Sequence, residues 1–150
     1  MLKNPLSAAD SSPITSSDAS KIKAKLMITD MHHITQFSSF VWDFNKYRIG
    51  QVISVDSACP TPWFAKIVAV LAQKVHSIVV QAVIKIQWFE IAIPETSAHP
   101  ARYKLDSLCD IISPPSVLGH VLQVPDFDNP ELFFIQPHFS RYYARYCPKT

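Results

Sequence analysis

The chain has 150 residues, the size of one domain, with 14 basic against 12 acidic residues and a formal charge of +2. Charged residues make up 17% and apolar residues 48%, enough for a packed core, which excludes wholesale disorder. Two glycines exclude both a dinucleotide-binding fingerprint and a phosphate-binding P-loop, and the near-neutral balance excludes the broad positive field of a nonspecific nucleic-acid binder.

Residues 1–30 are expected to form a flexible N-terminal tail. The first twenty are rich in Ser, Ala, Asp and Pro, carry no hydrophobic period, and lack the apolar run of a signal peptide. Beyond them Lys21, Lys23 and Lys25 stand beside Ile22, Leu26 and Ile28, a pattern that fits either a short strand or a helical turn. Residues 31–46 include Phe37, Phe40, Trp42 and Phe44. That is too much aromatic area to leave in water, so this arm is expected to pack on the domain that follows.

From Tyr47 the pattern turns to β. Residues 47–55 place Tyr47, Ile49, Ile53 and Val55 on one face, with Arg48, Gly50 and Ser54 on the other. Cys59-Pro60-Thr61-Pro62 reads as a turn, because proline cannot donate to a sheet ladder. In residues 64–71, Ala65, Ile67, Ala69 and Leu71 oppose Phe64, Lys66, Val68 and Val70. A turn is expected at 73–77. Residues 78–89 give the strongest strand, with Ala82, Ile84, Ile86 and Trp88 alternating with Gln81, Val83, Lys85 and Gln87.

After residue 89 the sequence looks irregular, divided by Pro94, Pro100, Pro114 and Pro115. Residues 113–117 suit one helical turn, since proline is tolerated at the first helical positions. Residues 117–124 and 132–135 read as closing strands, and 141–146 as a basic, aromatic end. Short strands with proline-rich connections predict a mainly β fold, a small β-barrel or sandwich with short helical turns and an irregular N-terminal arm. The organisation expected is a tail over 1–30, an arm over 31–46, one domain over 47–146 and a short tail over 147–150.

Tyr47-Arg48-Ile49-Gly50-Gln51-Val52-Ile53 resembles an opening strand of the form aromatic-x-hydrophobic-Gly-Asp-x-Val. Phe64-Ala65-Lys66-Ile67 matches a second strand, and Trp88-Phe89 followed by Pro94-Glu95-Thr96 matches a Trp-Phe, then Pro-Glu-x-Thr signature. The stretch from Asp110 through Pro114 to Gly119 and Val121 resembles a late segment, and Phe133-Phe134 a late aromatic pair. In this order the pieces are similar to the bromo-adjacent homology (BAH) domain, a β-rich chromatin-associated module. Gln51 stands where the family has Asp, and His120 where it has Lys.

The resemblance implies a noncatalytic, nuclear interaction module for a histone tail or another chromatin protein, with no cofactor. Some members recognise methylated lysine in an aromatic cage, where ring faces and a carboxylate attract the alkylated ammonium. Carried over position by position, the cage implied here is Phe64, Trp88 and Glu95, with Tyr103 and Asp106 as further members. The residues alone also allow a plainer reading. Trp88 shares the face of Ile84 and Ile86 and would be core, Glu95 would cap a turn, and Phe64 would lie partly open beside Lys66.

Catalytic and metal chemistry find little support in the sequence. The three cysteines, Cys59, Cys109 and Cys147, form no Cys-x-x-Cys pair, His76, His99, His120 and His138 have no paired carboxylate in sequence, and the adjacent His32 and His33 would face opposite sides of a strand. Asp126, Asp128 and Asn129 suggest an acidic turn without the Gly and distal Glu of a calcium loop. No run of eighteen apolar residues exists to span a membrane as a helix. The alternative function is a nucleic-acid-binding accessory domain or fragment of a mobile-element protein, in which Arg141 and Arg145, interleaved with Tyr142, Tyr143 and Tyr146, make weak nucleic-acid contact.

Overall fold

The computed structural model describes residues 3–5, 13–57 and 63–137. Its elements run β1 (Lys3–Pro5), α1 (Ser16–Leu26), β2 (Ile34–Trp42), β3 (Asn45–Arg48), β4 (Val52–Val55), β5 (Trp63–Val75), β6 (Ile78–Ile93) and β7 (Arg102–Ile112). A 3-10 turn (Pro114–Ser116), β8 (Val117–Asp126) and β9 (Asn129–Pro137) complete the described fold. The fold is mainly β and sandwich-like. Every pairing is antiparallel. The ladder passes from β5 through β4, β8, β9 and β7 to β6, and β6 pairs back onto β5. At the β7–β9 seam this circuit rests on a single residue pair, Tyr103 against Phe133. β2 pairs with the second half of β5 and is flanked by β1 and β3.

The central hairpin follows the period of two. Ile84 and Ile86 of β6 are fully buried in the main core with Phe37, Phe40, Tyr47, Ile53, Ala65, Ile67 and Val70. The β5–β6 turn is only two residues, His76 and Ser77, both at positive φ (52° and 64°), between paired Val75 and Ile78. That is the tight hairpin geometry whose twist suits flanking strands, here built without the usual Asn or Gly.

Alternation along β5 does not run unbroken as the sequence suggests. Ile67 pairs with Ile86 and Ala69 with Lys85, so Val68 is an extra residue in a bulge. The bulge exchanges the faces. Ala65 and Ile67 before it, and Val70 and Ala72 after it, enter the main core. Ala69 and Leu71 turn to the opposite side, where they meet the helix.

That helix corrects the expectation of a flexible tail where it covers residues 16–26. Thr15 caps α1 reciprocally. Its hydroxyl accepts from the Asp18 amide at 3.0 Å, and the Asp18 carboxylate accepts from the Thr15 amide at 3.2 Å. Lys23 and Lys25 fall in the last turn, where the helix dipole favours cations, and Met27 ends the helix in the left-handed region. Asp18, Ile22 and Leu26 recur every four residues and form the buried stripe. Ile22 and Leu26 pack on Ala69, Leu71, Val83 and Ile111, each contributing roughly 1.5–3 kcal/mol by leaving water. Asp18 instead meets Lys85 of β6 at 2.6 Å, and both side chains are nearly closed to solvent.

The boundary expected at residue 47 is also corrected. The arm of residues 31–46 is β2 and the start of β3, strands of the same sheet rather than an irregular attachment. Phe37 and Phe40 are core, whereas Trp42 is partly exposed and Phe44 fully so. Residues 47–55 are not one strand. Gly50 at φ 91° turns the chain between β3 and β4, and the Gln51 side chain closes the turn by accepting from the Arg48 amide at 2.8 Å. Ile49 is therefore exposed, and all four residues of β4 are buried, including Ser54.

The region after residue 89 is more regular than its prolines suggest. β6 continues to Ile93, and Arg102–Ile112 is an eleven-residue strand. The 3-10 turn and the two closing strands lie where the sequence places them, with β8 and β9 longer than expected. His120, in the Lys position of the family pattern, stacks on Tyr47 at 4.4 Å, and its Nε2 lies 2.8 Å from the Lys46 carbonyl, joining β8 to β3. The turn expected at Cys59–Pro62, and Arg141, Arg145 and Cys147, lie outside the described residues.

Candidate functional site

Beside the β6–β7 connection lies a cavity of about 650 Å³, lined by Trp63, Phe64, Trp88, Phe89, Ile91, Pro94, Glu95, Ala101, Tyr103 and Leu108. The first residues of β5 supply Trp63 and Phe64, and the far half of β6 supplies Trp88, Phe89 and Ile91. Consecutive residues of one strand point to opposite faces, so a cavity that uses both Trp63 and Phe64, and both Trp88 and Phe89, wraps around the strand ends.

The rings are held edge to face. Trp63 meets Trp88 with centroids 5.4 Å apart at 87°, and Phe64 meets Tyr103 at 5.3 Å and 85°. Phe89 is braced from behind by Phe133 at 6.2 Å and 86°. These are favoured arrangements for aromatic quadrupoles and fix ring orientation as well as filling space. Phe64 sits in a small core with Val52 and Ile135, against which Phe89, Tyr103 and Phe133 pack. Trp88 is anchored against the main core and remains partly open.

A bulge shapes the wall opposite Trp88. Gln87 pairs with Cys109 and Phe89 with Leu105, which leaves Asp106, Ser107 and Leu108 of β7 facing the single residue Trp88. The extra length pushes Leu108 outward to line the cavity, 63% exposed. The Gln87 side chain donates to the Asp106 carbonyl at 2.7 Å and holds the bulge in place.

One carboxylate contributes negative charge to this apolar enclosure, from Glu95 on the exposed stretch after β6. Burial pushes the Tyr103 hydroxyl above its ordinary value, and the nearby Glu95 charge pushes it further in the same direction. Tyr103 is therefore a neutral phenol at physiological pH, and Glu95 is close enough for its charge to be felt across the site.

Of the residues singled out in the sequence, Phe64, Trp88, Glu95 and Tyr103 line this one cavity. Asp106 does not. Its carboxylate accepts from the Ser107 amide at 2.6 Å and is used within the bulge. Phe64 is buried rather than partly open as expected. The turn expected around Glu95 is capped instead by Thr96, whose hydroxyl accepts from the His99 amide at 3.1 Å. Trp63 and Leu108 were not anticipated. Trp63 precedes the Phe-Ala-Lys-Ile strand pattern, and Leu108 owes its place to a bulge with no sequence signal.

A second cavity of about 500 Å³ is formed by the start of β7 and the β8–β9 hairpin, lined in part by His99, Arg102, Asp126, Asp128 and Phe134. Arg102 is committed within it, to Asp126 at 3.3 Å and over the Phe134 ring at 5.9 Å. Among the described residues no group of three or more His, Cys, Asp or Glu side chains is placed to hold a metal ion. No described helix is long and apolar enough to cross a membrane. No protein-family model matches the chain, and no curated protein matches it.

Proposed function

We propose that the chain is a noncatalytic, BAH-like chromatin interaction module, and that its aromatic cavity receives a methylated lysine side chain of a histone tail. The observation that carries this reading is the convergence of Phe64, Trp88, Glu95 and Tyr103, four separated positions, on one open cavity that also includes Trp63. An alkylated ammonium has the chemistry such a site favours. Its methyl groups gain from apolar contact, its charge is attracted to ring faces, and Glu95 adds a longer-range attraction. Each ring contributes about 0.5–2 kcal/mol according to how fully the ligand is desolvated. An unmodified lysine keeps its water shell more tightly and gains less from the same walls.

The peptide backbone has a place to lie. Beyond its single pairing with β9, the second edge of β7 pairs with no strand among the described residues, and Leu108 of that strand reaches the cavity. An extended segment added there would gain main-chain hydrogen bonds while one side chain enters the cage. The proposed location is the nucleus. The alternative carried by Arg141 and Arg145 concerns residues outside those described.

The test is calorimetric titration with histone-tail peptides that differ only in lysine methylation. The expected result is at least tenfold tighter binding of one methylated form, about 1.4 kcal/mol, with most of that preference lost in Trp63→Ala. Trp63 is half exposed, so its removal spares the core that Trp88 helps to fill. Equal affinity for methylated and unmodified peptides, or a preference unchanged by Trp63→Ala, would remove the methyl-lysine reading.

A further inference from the structure

The methyl-lysine reading leaves the second cavity unused, yet the two cavities share a wall. Pro94, Glu95 and Ala101 line the aromatic cavity, and His99 and Pro100 line the second, so the connection from 94 to 101 borders both. Arg102 and Tyr103, consecutive in β7, face opposite sides of the strand, one towards each cavity. β7 and β9 run antiparallel from their contact at Tyr103 and Phe133, which sets the β8–β9 tip on the side of β7 whose edge is free beyond Tyr103. A peptide laid on that edge, with one side chain in the aromatic cavity, passes the elements that build the second.

The charge of the second cavity is set by what its own contacts leave over. Asp126 is buried and fully used. One of its oxygens accepts from the Asp128 amide at 3.0 Å and the other from Arg102 at 3.3 Å. Arg102 is thereby neutralised, with its guanidinium held over the Phe134 ring. Asp128 differs. It lines the cavity, it is exposed, and it makes no ion pair among the described residues. Residues 121–136 contain three carboxylates, Asp126, Asp128 and Glu131, and neither Lys nor Arg. The cavity therefore keeps one uncompensated carboxylate beside the apolar surface of Pro100 and Val124. That combination suits a side chain with an apolar stem and a cationic head.

We propose that the second cavity receives another basic side chain of the same histone-tail peptide, an unmodified lysine or arginine, with its cation at Asp128 and its stem against Pro100 and Val124. The proposal rests on the methyl-lysine reading of the aromatic cavity and adds a second anchor to it. A methylated lysine with a basic neighbour at the right distance is then preferred over an isolated one.

The experiment is a calorimetric double-mutant cycle. Histone-tail peptides carrying one methylated lysine, with each remaining basic residue replaced singly by Gln, are titrated into the full chain and into its Asp128→Asn variant. The Asp128 side chain is exposed and Asn suits a turn, so the variant keeps the fold, which far-ultraviolet circular dichroism checks. One replacement is expected to weaken binding to the wild type about twofold to fivefold, the range of an exposed ion pair, and to have no effect in Asp128→Asn. The difference should shrink at high salt. Placing Lys or Arg at that position tells the two head groups apart, and tighter binding of either supports the site. Asp128→Asn should keep the preference for methylated peptide, because the aromatic cavity is untouched. A methyl preference with no replacement coupled to Asp128 would overturn the second anchor and leave the methyl-lysine reading standing. Loss of any methyl preference in the wild type would overturn both.

Discussion

Replacing Lys85 with Met tests how α1 is attached to the sheet. The Lys85 ammonium meets the Asp18 carboxylate at 2.6 Å, and both side chains are about nine-tenths buried. Methionine keeps most of the side-chain volume but leaves Asp18 as a buried carboxylate without its cation. Removing one partner of a buried pair costs about 3–5 kcal/mol. The value here is expected near the lower end, because Asp18 still accepts from the Thr15 amide. In urea, with a slope of about 1–3 kcal/mol per molar for small domains, the midpoint should fall by roughly 1–3 M. Adding Asp18→Asn should restore most of the loss, because the amide retains capping contacts without a charge to desolvate.

Acid provides a second reading of the same pair. Burial alone would raise the Asp18 carboxyl, but the Lys85 hydrogen bond and the Thr15 contacts outweigh it and hold the group below its ordinary value of 3.8. A folded value below the unfolded one contributes stability that is present above the unfolded pKa and lost as pH falls through the folded one. In Lys85→Met burial loses its chief opponent, so the gap between wild type and variant should narrow as pH drops below about 4. A single-variant loss under about 1 kcal/mol, or a double variant no more stable than the single, would refute this account of the helix attachment.

Three further outcomes follow from particular contacts. Ultraviolet difference titration of wild type against Tyr103→Phe should show a phenol ionising above pH 10, the ordinary value. Glu95→Gln should bring it down without normalising it, because burial is the larger cause. Because the folded phenol ionises later than the unfolded one, its contribution to stability is present below pH 10 and lost as pH rises through the folded value. Replacing His76-Ser77 by Asn-Gly should stabilise the β5–β6 hairpin by about 1 kcal/mol in thermal or urea unfolding, since both residues sit in the left-handed region. Thr15→Ala should cost about 0.5–2 kcal/mol in the same assay by removing one side of the capping box.

The parts legible in the sequence are those set by local periodicity. β6 was readable because Ile84, Ile86 and Trp88 alternate with Gln81, Lys85 and Gln87, and the Pro-Pro turn because proline suits a first helical turn. β7 was not readable. Its bulge, with Asp106, Ser107 and Leu108 set against the single residue Trp88, breaks the alternation. α1 is ambiguous in sequence, its second half fitting a strand or a helical turn equally, because one member of its buried stripe is Asp18, whose burial depends on Lys85, 67 positions away. The Thr15-Ser16-Ser17-Asp18 capping pattern was the available local signal. At the cavity, Phe64, Trp88, Glu95 and Tyr103 were reached by resemblance to a family pattern. Trp63 and Leu108 depend on strand ends and a bulge that only the pairing reveals.

Nuclear magnetic resonance of the indole N–H groups offers the most direct measurement. The chain has three tryptophans, two in the cavity wall and one, Trp42, on the separate hairpin. Titration with a methyl-lysine histone peptide should shift the Trp63 and Trp88 indole signals and leave Trp42 unmoved, with the unmodified peptide producing smaller shifts at the same concentration. Equal shifts from methylated and unmodified peptides, or shifts confined to Trp42, would contradict the assignment of the cavity as the methyl-lysine site.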